Sequence, residues 1–395
     1  MHNVDHPLLD GFDHVETVED FRARLALGRP LNVKLGIDPT SPDLHLGFMV
    51  VLHKLQRFAE AGHRVTLIIG DFTARIGDPS GRNVTRPQLT QEEIEANMET
   101  YRAQAGKVLD LERVAIRYNS EWLDKLGLTD LVKLLAKTTV AQMLERNDFH
   151  NRYSDGAPIS LHEFLYPVAQ AYDSIAIEAD VELGGSDQLF NLLLGRHYQR
   201  EYAQPPQVCA TVPLLVGLDG QKKMSKSLGN YVGITEPAPE QYGKLMKIGD
   251  ELISTYARLA AFRSQDACDR LAAELESGSI NPMDAKKSVA REIVARYHGD
   301  AAAREAQERF EATVQRKEIP SDGLRELGRG ECLRVTELLV KAGFAESRRA
   351  AERLISGNGV KVDGIVVNDP KAPWTASSPA VLSVGSRKFV RILPE

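Results

Sequence analysis

Val33-Lys34-Leu35-Gly36-Ile37-Asp38-Pro39-Thr40, followed by Asp43-Leu44-His45-Leu46-Gly47-Phe48, reads as an apolar strand that breaks at a proline and gives way to a helix beginning near His45. The junction gathers backbone amides, a hydroxyl and an imidazole at a helix N-terminus, a place suited to phosphate. About a hundred and eighty residues later, Lys223-Met224-Ser225-Lys226-Ser227 puts two ammonium groups in one short loop. Lysines in such a loop follow and neutralise charge spreading onto a leaving pyrophosphate, which is stabilisation delivered in the transition state. The two segments together point to ATP chemistry.

Outward from this stretch, residues 30 to about 215 alternate short apolar runs with helical patterns. Val33 to Ile37 precedes a helix over Met49 to Ala59, Val65 to Ile69 precedes a helical stretch near Glu92 to Leu109, and Val114 to Tyr118 follows. This is the rhythm of a parallel α/β sheet, whose strands are buried on both faces and whose ligands collect at strand carboxyl ends. Gly36 to Thr40, Gly70 to Thr73, Asn119-Ser120 and Gly184 to Gln188 all sit at such ends, so residues distant in sequence are expected to line one crevice. Leu123 to Pro158 is mainly helical, and so are residues 234 to about 318, with amphipathic stretches at Lys244 to Leu259 and Ala285 to Tyr297. Lys317 to Gly323 has the proline, glycine and polar content of an exposed linker. Beyond it, Val335 to Ala342 and Ser347 to Ser356 read as two short helices, with Ser347 an N-cap and Gly357 a stop, and strand-like runs follow.

With 395 residues and 43% hydrophobic content, the chain can bury a large core divided over two or three domains. No basic start leads into an apolar run and no stretch of eighteen apolar residues occurs, so a soluble, cytoplasmic protein without a membrane is expected. Cys209, Cys268 and Cys332 lie far apart and read as buried thiols. No His/Cys/Asp/Glu cluster has metal-ligand spacing, so no built-in metal site is expected. The net charge of −6 hides a gradient: residues 333–395 carry ten Lys/Arg against six Asp/Glu, net +4, leaving 39 against 49, net −10, in the rest. A basic terminal module on an acidic body suits local contact with a phosphate backbone, although charge alone is equally consistent with an uneven surface.

Five motifs, in order, carry a family resemblance: Gly36 to Thr40 with Asp43 to Gly47, Gly77-Asp78-Pro79-Ser80-Gly81, Tyr166 to Asp173, Gly184-Gly185-Ser186-Asp187-Gln188, and Lys223 to Ser227. Together they resemble the class I aminoacyl-tRNA synthetases, specifically the bacterial tyrosyl-tRNA synthetases, over nearly the whole chain. The resemblance implies a Rossmann-like catalytic domain over 1–220 whose helical insertion at about 123–158 forms a dimer interface. It further implies the lysine loop and a helical domain over 221–318, a linker at 319–332 and a small α+β RNA-binding domain over 333–395, shared with a ribosomal protein. A half-of-sites homodimer, in which one subunit's C-terminal module binds tRNA(Tyr) charged by the other, is implied too.

The roles implied are these. L-Tyrosine attacks the α-phosphate of ATP, which brings Mg2+ with it, so the site holds two anions in line without a side-chain nucleophile. Thr40 and His45 resemble the pair that hydrogen-bonds the γ-phosphate, while Lys223 and Lys226 add mobile positive charge. Arg82 and Arg86 fall where the family has a basic pair reaching the pyrophosphate. Gly36, Asp38, Gly47, Phe48, Gly185, Met224 and Ser225 would line ATP and the adenylate, with Asp187 on the ribose. Tyr166, Gln170 and Asp173 share one helical face by their i, i+4, i+7 spacing. The resemblance has Tyr166, Gln170 and Asp78 hold the substrate ammonium, Gln188 contact the activated tyrosine and Asp173 accept from the phenol. Leaving a buried carboxylate unpaired when phenylalanine enters is costly. Arg348, Arg349, Arg353 and Lys361 are the implied RNA contacts.

The chain departs from the pattern in two places. Phe48 stands where a second histidine is common, so one hydrogen-bonding ring is lost. Lys34 and Glu182 stand where one branch has a tyrosine contacting the substrate phenol and a glutamine. Lys34 either faces the pocket, pairing with Asp173, or snorkels outward. Two rival readings remain: a tryptophanyl-tRNA synthetase-like ligase, against which Asp173 and the C-terminal module count, and a non-catalytic RNA-binding derivative, against which the intact Thr40, His45, Asp187, Lys223 and Lys226 count.

Overall fold

The computed structural model describes residues 6–40, 42–79, 90–315, 324–385 and 388–394. They divide into two compact units, one comprising 1–236 and 247–289, the other 237–246 and 290–395.

The first unit is built on a six-stranded sheet of β1 (His14–Glu16), β2 (Asn32–Ile37), β3 (Arg64–Ile69), β4 (Val114–Tyr118), β5 (Val181–Gly185) and β6 (Val208–Val212), in the order β1-β6-β5-β2-β3-β4. β2 to β6 are parallel. Their apolar runs are buried, as Val33, Leu35 and Ile37 in β2 and Val65, Leu67, Ile68 and Ile69 in β3 show. The reading of the sequence contained no β1, and this three-residue strand pairs antiparallel with β6 at the sheet edge. It is too short for its alternation to stand out from a loop.

The chain winds from β2 through β3 to β4 in one direction, then crosses to β5 and β6 on the other side of β2. The winding therefore reverses between β2 and β5, and the loops leaving their carboxyl ends diverge to open a crevice. α1 (Leu46–Glu60) follows β2, with His45 as its N-cap. α2 (Leu165–Ala176) leads into β5 and packs on α3 (Leu189–Glu201). Between β4 and α2 lie short helices at Leu128–Leu135, Val140–Met143 and Asn147–Ser154.

The periodicity expected over Lys244 to Leu259 does not make one helix. Helix Ala238–Leu245 ends, Gly249 takes extended backbone with ψ 154° ahead of a 3-10 turn at Asp250–Leu252, and α4 (Ile253–Leu259) begins afresh. A glycine inside an amphipathic pattern is a weak point at which the register restarts. The helix expected at Ala285 to Tyr297 runs over Pro282–His298. Cys209 and Cys268 are buried, whereas Cys332 is only partly so, contrary to the expectation of three buried thiols.

In the second unit, β7 (Glu326–Gly328), β8 (Val360–Val362), β9 (Ile365–Val366), β10 (Ala380–Val384) and β11 (Lys388–Leu393) form a sheet in the order β7-β11-β10-β8-β9. α5 (Val335–Lys341) and α6 (Arg348–Ser356) supply Leu338, Leu339, Ala351 and Ile355 to a core shared with Val360, Leu382, Val390 and Ile392. Ser347 caps α6 by accepting the Ala350 amide at 3.3 Å, and Gly357 ends it. The proposed linker at 317–323 lies outside the described residues.

Candidate active site

The crevice at the β2/β5 reversal encloses a cavity of about 490 Å3. Its walls bring together residues from the β2–α1 junction, the end of β3, α2, the β5–α3 turn and the Lys223 loop. Gly36 is exposed at the end of β2, and a Cβ there would meet nothing within 4 Å, so ligand can approach the backbone. At Gly185 a Cβ would lie 2.9 Å from both Asp187 Oδ1 and the Leu214 side chain, so the turn needs glycine for packing.

At the α1 N-terminus, His45 Nδ1 accepts the Gly47 amide at 3.2 Å. Burial, with Lys226 and Lys223 adding to it, pushes His45 down to about 3, so the ring is neutral at pH 7. With Nδ1 accepting, the single ring proton resides on Nε2, leaving a donor for an anion. Thr40 and Gly47 line the same cavity, as does Phe48, whose ring lies 4.6 Å from that of His45 at 44°. The aromatic that replaces a histidine thus packs on the remaining one.

Across the crevice, Lys223 Nζ lies 2.5 Å from Asp187 Oδ2. Asn230 ties the lysine loop down: its Oδ1 accepts the Ser225 amide at 2.8 Å and its Nδ2 donates to the Lys223 carbonyl at 3.1 Å. Met224 and Ser225 line the cavity, and Ser225 Oγ is 2.9 Å from Ser227 Oγ. Lys226 is lowered to about 8, chiefly by burial, with Asp43 acting the other way.

The polar face of α2 points inward. Tyr166 Oη donates to Asp38 Oδ2 at 2.9 Å, and Asp38 Oδ1 accepts from Thr73 at 2.7 Å. Gln188 Nε2 donates to Asp78 Oδ2 at 3.0 Å, and Arg146 holds the other Asp78 oxygen at 3.1 Å. Gln170 Nε2 donates to Glu182 at 3.1 Å, while its Oε1 accepts from Asn191 at 3.0 Å. Asp173 is 3% exposed; Trp122 Nε1 donates to it at 2.8 Å and Asn119 Nδ2 at 3.4 Å. Burial raises Asp173 to about 7, against the opposing pull of Lys34 and these two donors.

Lys34 follows neither alternative read from the sequence. It does not snorkel outward, being 1% exposed, and it pairs with Glu182 at 2.8 Å behind the cavity wall, reaching Asp173 only through its field. Arg82 and Arg86 lie outside the described residues. Arg348, Arg349 and Arg353 are exposed on α6, with Lys361 half-buried on β8. Sequence reasoning passed over Trp122 and Arg146, which hold Asp173 and Asp78 from more than fifty residues away, and over Asn191 and Asn230, which hold nearer residues but stand in no motif. Only Asn119, at a strand end, left a signal.

The family of tRNA synthetases class I (W and Y) matches residues 26–315, and the S4 domain family matches residues 333–374. The tyrosine–tRNA ligase of Moorella thermoacetica is 50% identical over 386 residues, covering 97% of this chain and 94% of that protein. That of Thermotoga maritima is 50% identical, covering 95% and 93%. The crystal structure of the Archaeoglobus fulgidus tyrosyl-tRNA synthetase complexed with L-tyrosine shares the fold, with a TM-score of 0.62 at 24% identity over 76% of this chain and 97% of that one. The chain therefore belongs to the class I tRNA synthetases (W and Y) and, within them, to the tyrosine–tRNA ligase family.

Proposed function

We infer that the chain is a tyrosine–tRNA ligase, joining ATP and L-tyrosine to tyrosyl-adenylate with release of pyrophosphate, then passing the tyrosyl group to the 3'-terminal adenosine of tRNA(Tyr). The observation that carries the choice of amino acid is Asp173, a buried carboxylate at the cavity wall already held by Trp122 and Asn119. A fixed acceptor in an apolar setting suits the phenol hydroxyl and leaves an unpaired group behind phenylalanine. The tyrosine carboxylate oxygen attacks the α-phosphorus, the bond to the bridging oxygen breaks, and negative charge moves onto pyrophosphate. His45 Nε2–H, Thr40, Lys223 and Lys226 meet that charge, joined by Arg82 and Arg86 from the segment after Asp78. Mg2+ enters with ATP as part of the substrate.

Asp187 takes the ribose hydroxyls, which requires Lys223 to leave its carboxylate and turn to phosphate. Gly36, Asp38, Gly47, Phe48, Gly185, Met224 and Ser225 line the nucleotide. Tyr166, Gln170 and Asp78 receive the tyrosine ammonium, with Gln188 beside it. The catalytic domain spans 1–220 and the lysine loop and helical domain 221–318; of the linker expected over 319–332, Glu326–Gly328 instead joins the C-terminal sheet as β7. The basic module at 333–395 binds RNA through Arg348, Arg349, Arg353 and Lys361. A homodimer formed through residues 123–158 is supported by Leu128, Val132 and Val140, which are 78%, 59% and 64% exposed in the described chain. No helix among the described residues is long and apolar enough to cross a membrane, and we assign the enzyme to the cytoplasm.

The test is exchange of labelled pyrophosphate into ATP without tRNA, run with tyrosine, tryptophan and phenylalanine. Exchange with tyrosine alone is expected. Exchange with tryptophan would overturn the role of Asp173, and none with any of the three would favour a non-catalytic RNA-binding protein.

A further inference from the structure

Gly47, Phe48 and Val51 line the crevice, but α1 has another face, on which Val50, His53, Lys54 and Arg57 border a second cavity of about 250 Å3. Its other wall is the segment from Arg258 to Gln265, at and beyond the end of α4. The cavity is far larger than a single water's share of liquid volume, about 30 Å3.

Its charge is one-sided. Lys54, Arg57, Arg258 and Arg263 all line it, against Asp10 as the only carboxylate among the described residues of the lining. Asp10 is 56% exposed in its side chain and sits 3.7 Å from Arg57. Among the described residues Arg258 has no salt-bridge partner. Lys54 Nζ donates to the Asp10 carbonyl at 2.8 Å, which orients the ammonium without neutralising it. Burial and the nearby Arg57 and Arg258 lower Lys54 to about 8, with Asp10 pulling the other way, so the cations outweigh the carboxylate beside them.

The wall is also held in an unfavourable backbone. Phe262, a bulky aromatic, has φ +56°, and its ring stacks on His53 with centroids 3.9 Å apart and planes 10° from parallel. The Arg263 amide donates to the Ala257 carbonyl at 3.0 Å, closing the turn that presents Arg263. Residues held in sparsely populated backbone regions cluster at binding sites, where the surroundings enforce them.

We propose that this cavity is a binding site for a compact, multiply charged phosphate anion, separate from the nucleotide crevice. Three guanidinium groups and an ammonium line one cavity, a donor set suited to phosphate oxygens, and a bound anion would offset the positive charge gathered between α1 and the 258–265 segment. The site also lies between parts that carry the chemistry. α1 begins at His45, and Tyr256 of α4 donates to the Val216 carbonyl at 2.7 Å, where Val216 is bridged to Lys223. The phosphate has two conceivable sources, a free polyphosphate or the RNA backbone; a pocket of about 250 Å3 with its cations on two facing walls suits a compact polyphosphate, the first.

Calorimetry of the full chain with inorganic tripolyphosphate tests this, after the crevice has been blocked by a non-hydrolysable tyrosyl-adenylate analogue. Heat from the analogue reports separately on the catalytic reading. One saturable tripolyphosphate site is expected, weakened about tenfold or more by Arg258→Ala and by Lys54→Met, and less by Arg258→Lys, which keeps the charge. Thermal denaturation of each variant separates lost binding from lost folding. No tripolyphosphate heat, but tRNA binding weakened about tenfold in both variants, would assign the same phosphate chemistry to RNA. A tripolyphosphate site indifferent to all three substitutions, or neither ligand affected, overturns the proposal.

Discussion

Lys34 and Glu182 are register partners on the adjacent parallel strands β2 and β5, and their side chains meet at 2.8 Å with each only 1% exposed. Partners in register project to the same sheet face, so the two substitutions from the pattern of the other family branch are one structural unit. Ser174 Oγ and the amides of Gln170 and Gln207 also donate to Glu182. The pair therefore holds Gln170, and hence the cavity wall, from behind.

Lys34→Met alone leaves a buried carboxylate without its cation and is expected to cost about 3 kcal/mol, read by denaturant titration. Lys34→Met combined with Glu182→Gln should recover most of it. If Lys34 contacts no substrate atom, preference for tyrosine over phenylalanine survives in the double variant; its loss would put Lys34 in direct contact with the phenol.

Asp173 makes the site sensitive to pH. Its carboxyl, raised to about 7, holds its proton more tightly in the folded state than in the unfolded chain. Its contribution to stability is therefore fully present below about pH 4 and declines as pH rises through 7. Tyrosine binding has the opposite sense, because the ionised carboxylate is the better acceptor. The KM for tyrosine is expected to fall between pH 6 and 8, and Asp173→Asn should flatten both trends while raising KM about 10- to 100-fold.

Lys226, lowered to about 8 by burial, limits the alkaline side. Activation by the free enzyme is expected to decline above pH 8 as the ammonium loses its proton. Lys226→Arg should extend the alkaline limb, and a pH profile of kcat/KM for pyrophosphate exchange checks it.

Asp187→Ala removes the proposed ribose ligand and releases Lys223 from its 2.5 Å contact. The KM for ATP should rise about tenfold or more, in line with one lost charge-assisted hydrogen bond. An unchanged KM and activation rate would remove Asp187 from the nucleotide site.

Phe48 packs against the neutral His45 ring with centroids 4.6 Å apart and planes tilted by 44°. Phe48→His, which preserves a ring there, is expected to keep pyrophosphate exchange within a few-fold of the parent, whereas Phe48→Ala should lower it about tenfold by loosening His45. Abolished exchange in Phe48→His would point to a packing role that a smaller polar ring cannot fill.

The local elements were legible in the chain itself. Val33 to Ile37 and Val65 to Ile69 are strands because largely β-branched and apolar runs suit a sheet covered on both faces, whereas Val114 to Tyr118, at the sheet edge, has exposed residues at alternate positions. His45 caps a helix, as does Ser347, because both properties reside in a few adjacent residues. The shared crevice followed from motifs at strand carboxyl ends. Tertiary structure alone decided which side chains hold which. Trp122 and Asn119 meet Asp173, Arg146 meets Asp78, and Lys34 meets Glu182 instead of turning outward. Strand order makes these pairs, and strand order depends on contacts across more than a hundred residues, which no local pattern encodes. The ionisation of His45 and Asp173 belongs there too, since burial by distant segments, and not residue type, moves each from its ordinary value.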